Sequence, residues 1–366
     1  MMKEMKKPVF VKDRDTDLFQ QLKKEVFATV RQLEPRRRGD IILKAILFPS
    51  LYLLAYISAV HWAANDTIYY SCYFLMGVLL VLNFLNLIHE AVHHTLFFNK
   101  RVNNWYVHFF DLMGANSYMW KVRHIRLHHN YPNVMGWDSD FEQSPLARVF
   151  PHAPFSRLHK YQHIYLPLLY PLYLLNWLLI RDFRDFFNKK RLVWKVTSIP
   201  KIEFVKLFLF KTAFLFYTIF LPMIISHIDW EQAVIGFLIM MFTASIISLL
   251  VLLSPHASTE SDFPMPDRNG MMPTGWFRHQ LSCTNDVKED NWFIRFFMGC
   301  FNYHIAHHLF PSVNHVYYPE VTQVIKAFAK KNDLPYRQFP LTTSLHNHYE
   351  LLRTNSFQEN IFEETM

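Results

Sequence analysis

The run from Ile68 to Ile88 holds 21 residues without a charged side chain, long enough to cross a hydrocarbon core of about 30 Å as a helix. A chain with such a run needs an apolar solvent for it, so we expect an integral membrane protein. Ile41–Val60 is a second run, whose one charge, Lys44, lies near its start and can snorkel. Leu207–Ile228, with Lys211 near its beginning, and Ala233–Leu253 repeat the plan. The links within each pair, His61–Thr67 and the turn with Asp229 and Glu231, carry no Lys or Arg. The basic stretch ending in Arg36, Arg37 and Arg38, and the stretch Arg181–Lys201, then belong on the cytoplasmic side. The reading is an all-α membrane protein with four spans in two hairpins, at about 41–60, 68–88, 207–228 and 233–253.

Three histidine clusters lie outside those spans: His89, His93, His94; His124, His128, His129; and His304, His307, His308. Residues three and four apart share a helix face, so each cluster can aim two or three imidazoles at one point. Neutral imidazole binds iron, zinc and copper. Eight or nine nitrogens exceed what one ion takes, which implies two. Histidine without cysteine favours iron over a closed zinc site, which is usually rich in thiolate. A pair of bis-histidine haems is the rival. Adjacent His-His doublets count against it, because axial ligands occupy opposite faces of one macrocycle.

The first two clusters follow span two and the third follows span four. Ile164–Ile180 is also uncharged, over 17 residues, yet a single crossing there would put the third cluster in the opposite compartment. It carries Pro167 and Pro171, which interrupt a helix. We therefore read it, and the aromatic-rich Trp105–Met113, as interfacial segments. The divisions expected are a cytoplasmic segment 1–40, a membrane domain 41–355 and a tail 356–366. The cap over the membrane is made of residues 1–40, 89–203 and 254–366. His94 lies about 100° around the helix from His93, where ligation and packing are equally open. His61, His152, His159, His163, His227, His346 and His348 read as ordinary packing or surface residues. His108, His256 and His315 adjoin the clusters, and spacing does not decide their role.

Several classes are disfavoured. With 8 glycines and no Gly-x-Gly-x-x-Gly after a strand, no nicotinamide or flavin domain is expected. Cys72, Cys283 and Cys300 cannot build a disulfide framework. The net charge of +8 gathers beside apolar stretches, which suits an anionic membrane face rather than nucleic acid. Met1–Asp15 is charged and lacks an apolar core, so no cleavable signal peptide is expected. A metal transporter would hold its ion near mid-bilayer. Cys72, Asn83 and Asn86, the main polar side chains of span two, are too few for an ion path.

The clusters are joined by the run Asn302, Tyr303, His304, Ile305, Ala306, His307, His308, Leu309, Phe310, Pro311 and by Trp276, Phe277, Arg278, His279, Gln280. Together with His128, His129, Asn130, Tyr131, Pro132, Asn133 and the following Asp138 and Asp140, they resemble the membrane fatty acid desaturase family from about residue 40 to 355. The resemblance implies a non-haem diiron enzyme that uses O2 and two electrons to insert a double bond into a fatty acyl chain carried on CoA or a lipid. The ligands it implies are His89, His93, His124, His128, His129, His304, His307 and His308, with His279 as an additional one. Many front-end members begin the third cluster with Gln, where His304 stands here. Some relatives carry a fused cytochrome with His-Pro-Gly-Gly, which this sequence lacks. A separate electron donor is therefore expected, a ferredoxin or a cytochrome-b type protein with its reductase. The alternative is a diiron hydroxylase of an alkyl, sphingoid or carotenoid lipid. An all-imidazole site leaves the metal charge uncompensated, so carboxylates should hold the outer ring N–H groups. Glu90, Asp111, Asp138, Asp140 and Asp286 are candidates, with His94 as a further neighbour.

Overall fold

The computed structural model describes residues 6–141 and 144–357, so most of the tail 356–366 lies outside the described residues. The N-terminal segment and first span form one 48-residue helix, α1 (Arg14–His61). Its early part stays helical because Leu18, Leu22 and Val26 recur every four residues and bury one stripe against the third histidine cluster's surroundings. α2 (Asp66–Val92) starts at Asn65, whose side chain accepts from Ile68 N at 3.1 Å. α3 (Ser117–Lys121) starts likewise at Asn116 and runs into the π-helical turn Val122–His128. α4 (Arg157–Phe187) is a broken helix with tight turns at Arg157–Tyr161 and Tyr170–Leu172 and a π-helical turn at Trp177–Arg181. α5 (Lys201–Ser226) and α6 (Trp230–Leu252) follow. Later elements include α7 (Trp276–Cys283), β1 (Asp286–Val287), α8 (His304–Leu309), α9 (Tyr318–Lys331), β2 (Gln338–Phe339) and α10 (Leu341–Thr354). The two short strands pair in parallel, Asp286 opposite Gln338.

Among the described residues five helices are long and apolar enough to cross a membrane, against the four spans expected: Arg37–His61, Asp66–Val92, Arg157–Phe187, Lys201–Ser226 and Trp230–Leu252. Packing between spans in lipid relies on close approach at small residues. A Cβ on Gly77 of α2 would stand 2.5 Å from the Met240 carbonyl of α6, and one on Gly236 would stand 2.7 Å from the Tyr69 ring. The two hairpin tips meet. Ser226 Oγ donates to Val60 O at 2.6 Å, and Gln232 Nε2 donates to Ala63 O at 2.7 Å.

Both ends of α4 are tied to the opposite end of the bundle. Gln162 Nε2 donates to Leu352 O of α10 at 2.9 Å, and Arg181 Nη2 donates to Ser139 O, just beyond the second cluster, at 2.7 Å. Its middle is held by Ser245 Oγ, which accepts from Leu174 N at 3.1 Å. Ser245 lies seven residues before the Leu252 end of α6, roughly 10 Å along the helix at 1.5 Å per residue. Lys44 differs from its expected snorkelling: it is 2% exposed and turned into the protein.

Candidate metal centre

The histidine clusters converge. Ligand atoms of His89, His93, His124 and His307 lie within 4.8 Å of one another, and so do those of His128, His256, His304 and His308. Local backbone explains how. A π-helical turn, Phe84–Ile88, precedes His89 and widens the end of α2. The second cluster lies on such a turn as well: His129 N bonds His124 O at 2.9 Å, five residues back. That wider turn brings His129 onto the inner face, where an α-helix would have turned it aside. Its Nε2 stands 3.1 Å from His124 Nε2, and its ring lies 4.5 Å from His307 and 4.7 Å from His308. His129 thus sits between the two sets.

The nitrogens face one another in a way that neutral imidazoles cannot satisfy alone. His124 Nε2 has His89, His93 and His129 Nε2 at 3.1, 3.2 and 3.1 Å. His256 Nε2 has those of His304 and His308 at 2.9 Å each. One imidazole carries one proton, so most of these contacts set lone pair against lone pair unless a cation lies between. Burial holds the rings neutral: it pushes His124 down to about 3 and His256, His304, His307 and His308 well below the usual range. At His128 burial acts the same way, but the Asp138 and Asp140 carboxylates overcome it and raise the imidazole. This donor set fits two borderline-soft divalent cations.

Three outer nitrogens of the second set are anchored by hydrogen bonds, which fixes the tautomer and leaves Nε2 free to bind metal. His128 Nδ1 donates to both oxygens of Asp138 at 3.1 Å, and Asp138 also accepts from Asn133 N and Asp140 N. His256 Nδ1 donates to Cys283 O at 2.9 Å and His308 Nδ1 to Gln280 Oε1 at 3.1 Å. In the first set, His307 Nδ1 meets Tyr318 OH at 3.3 Å, while Asp140 and Glu90 stand 3.8 and 3.9 Å from His124 and His89 Nδ1. Arg123, next to His124, is fully buried and donates to Asp185 at 2.7 Å and Asp182 at 3.0 Å. Lys211 of α5 shares Asp182 at 2.9 Å. This ion cluster fastens the second histidine turn to α4 and α5.

Other expected residues take other places. His279 departs from expectation: it joins neither set. On α7 its ring packs 5.0 Å from Phe10 and faces the Cys283 thiol and the Pro132 carbonyl, and burial lowers it to about 4. His94 ends the first cluster's helix in a left-handed conformation, φ 61°, and points away. Asp286 touches no ring of either set. It accepts from Ile305 N at 2.8 Å and so caps α8, and burial raises it to about 7. Asp111 caps α3 through Ser117 N at 2.7 Å and pairs with His108. His256 is the member of the sets that spacing left undecided. It lies four residues beyond the Leu252 end of α6, near the end of the last span, and that position was the available signal.

Beside the first set lies an apolar cavity lined by Leu80, Phe84, Phe110, Gly114, Trp177 and Met241, among others. Its inner wall touches the site: Phe84 packs 6.1 Å from His89 and 5.2 Å from Trp120, which stacks 4.9 Å from His124.

Comparison with known proteins agrees with this geometry. The family profile described as "Fatty acid desaturase" matches residues 67–340. The chain is 28% identical over 335 residues to an acyl-lipid (8-3)-desaturase of Physcomitrium patens, covering 90% of this chain and 69% of the relative. It is 26% identical over 256 residues to an sn-1 linoleoyl-lipid 6-desaturase of Synechocystis, covering 70% and 71%. It is also 28% identical over 363 residues to Delta(5) fatty acid desaturase A of Dictyostelium discoideum, covering 94% and 76%. With its paired imidazole sets at the end of an apolar cavity, the chain belongs to the fatty acid desaturase family.

Proposed function

We propose that this desaturase binds two iron ions and acts on an acyl chain carried by a membrane lipid. One ion is held by His89, His93, His124 and His307, with His129 as a fifth nitrogen, and the other by His128, His256, His304 and His308. The observation that carries this reading is the convergence of two largely buried imidazole sets whose ring nitrogens face one another. When bound, iron supplies with O2 an oxidant able to take hydrogen from an unactivated methylene, which no side chain can do.

The chain's own residues do the rest. The cavity between α2, α4 and α6 receives the acyl chain and excludes water, and Phe84 and Trp120 set how closely it approaches the first site. Asp138, Gln280 and the Cys283 carbonyl hold protons on the outer nitrogens, so the inner ones stay available. The lipid carrier is supported by the relatives whose names specify acyl-lipid or lipid-linked substrates. The two electrons are supplied by a ferredoxin or cytochrome-b type donor.

Four crossings suit this site better than five. Both ends of α4 reach the histidine end of the bundle, and Leu174 pairs with α6 only about 10 Å from that end. The tips at residues 62–65 and 227–229 contain no Lys or Arg, which supports a cytoplasmic cap and metal centre with both termini on that side. The test is to express the chain in a host and profile the acyl chains of its membrane lipids and its CoA pool. A new unsaturated species appearing first in the lipids is expected. Hydroxylated product alone, or product appearing first as a CoA thioester, would overturn the corresponding part of the reading.

A further inference from the structure

Lys44 is a cation inside the first membrane span, and such residues are expensive unless they act. Its ammonium has three protons and finds three acceptors: Asn86 Oδ1 at 2.9 Å, Arg295 O at 3.2 Å and His315 Nε2 at 3.0 Å. The Asn86 amide is oriented without ambiguity, because its Nδ2 donates to Leu82 O and Phe297 O at 3.0 and 2.7 Å. An ammonium only donates, so His315 Nε2 must be the accepting nitrogen. Burial and the Lys44 charge lower His315 to about 4, so the ring is neutral and its one proton is on Nδ1. That Nδ1 stands 3.3 Å from Glu90 Oε1, an ion-pair approach without hydrogen-bond alignment, and the same oxygen stands 3.9 Å from His89 Nδ1. Thr95 Oγ1 donates to the other oxygen of Glu90.

We propose that Lys44 and His315 are positioning residues of the first metal site: the line of charged and polar contacts from Lys44 through His315 to Glu90 holds the carboxylate on the Nδ1 side of His89, which favours His89 Nε2 as the metal-binding nitrogen. The inference rests on the paired-site reading above. It assigns work to an intramembrane lysine that touches no metal ligand. It also explains why the first span packs against the third cluster's loop: Arg295 O and His315 both belong to the segment around α8, and Lys44 joins them to α2.

The test uses the full-length purified chain, stripped by a chelator and titrated with Co2+, with metal per chain, the ligand-field spectrum and thermal melting recorded. Wild type should take up two ions. Lys44→Met should weaken uptake at one site roughly tenfold, the scale for loss of an outer partner, and leave the other unchanged. His315→Phe should do the same, while Lys44→Arg, which also only donates, should restore most of the loss. The stripped Lys44→Met protein should melt lower than stripped wild type, because three buried acceptors lose their donor, so the site-selective metal loss with rescue in Lys44→Arg, rather than melting, is the deciding readout. Two full-affinity ions in Lys44→Met, or equal losses in Lys44→Arg and Lys44→Met, would overturn the relay. A wild type that binds fewer than two ions would overturn the paired-site reading and the relay with it.

Discussion

The two imidazole sets differ in how firmly the protein grips them from behind. In the set of His128, His256, His304 and His308, all four rings are buried, and three outer nitrogens make hydrogen bonds of 2.9–3.1 Å to Asp138, the Cys283 carbonyl and Gln280. In the set of His89, His93, His124 and His307, the partners stand farther off, at 3.3 to 3.9 Å, and His93 is only half-buried. The looser set is the one that borders the apolar cavity through Phe84 and Trp120. Metal affinity follows outer hydrogen bonding. On the proposed paired-iron reading, the firm set would retain its ion and the loose set would work beside the acyl chain.

The largest effect should come from removing an inner nitrogen of the firm set. His128→Ala should abolish turnover while the protein still inserts, and should leave about one ion per chain by elemental analysis. Retention of both ions would erase the distinction between the sets. Next is the ion cluster that both sets share. Arg123→Met leaves Asp182 with Lys211 and Asp185 with Arg191 but removes the buried cation that joins them, a loss of about 1.5–3 kcal/mol, which thermal melting reads directly. Because the second histidine turn serves both sets, this variant should lower both affinities together. A loss at one alone would contradict that shared origin. The smaller contrast lies between two carboxylates. Asp138→Asn should weaken the firm site by about 10–100-fold, and Glu90→Gln should weaken the loose site by less, because 3.9 Å is beyond hydrogen-bond range. Equal losses would mean that the spacing of the outer partners does not set the grip.

The long apolar helices and the three clusters were legible because hydropathy and helical spacing are local signals. What spacing could not reveal lies where the helix changes pitch or where contact comes through space. An ideal α-helix turns His129 away from His124, whereas the π-helical turn brings it to 3.1 Å. His256 stands alone in sequence and gains its meaning from the return of α6 to the end where α2 delivers His89. His279, singled out through family resemblance, sits behind Phe10 in a pocket of its own. Asp286 supports the third cluster through its backbone rather than its rings. Lys44 read as a snorkelling residue because its acceptors lie on other helices, and a one-dimensional hydropathy trace does not contain them. The fifth apolar helix shows the same limit, since length and composition permit a crossing while the partners of its two ends argue against one.

The most direct test of the paired centre is anomalous X-ray scattering at the iron edge from crystals of the purified, iron-loaded protein. Two peaks are predicted, one amid His89, His93, His124 and His307 and one amid His128, His256, His304 and His308. A single peak, or a peak beside His279, would contradict the account.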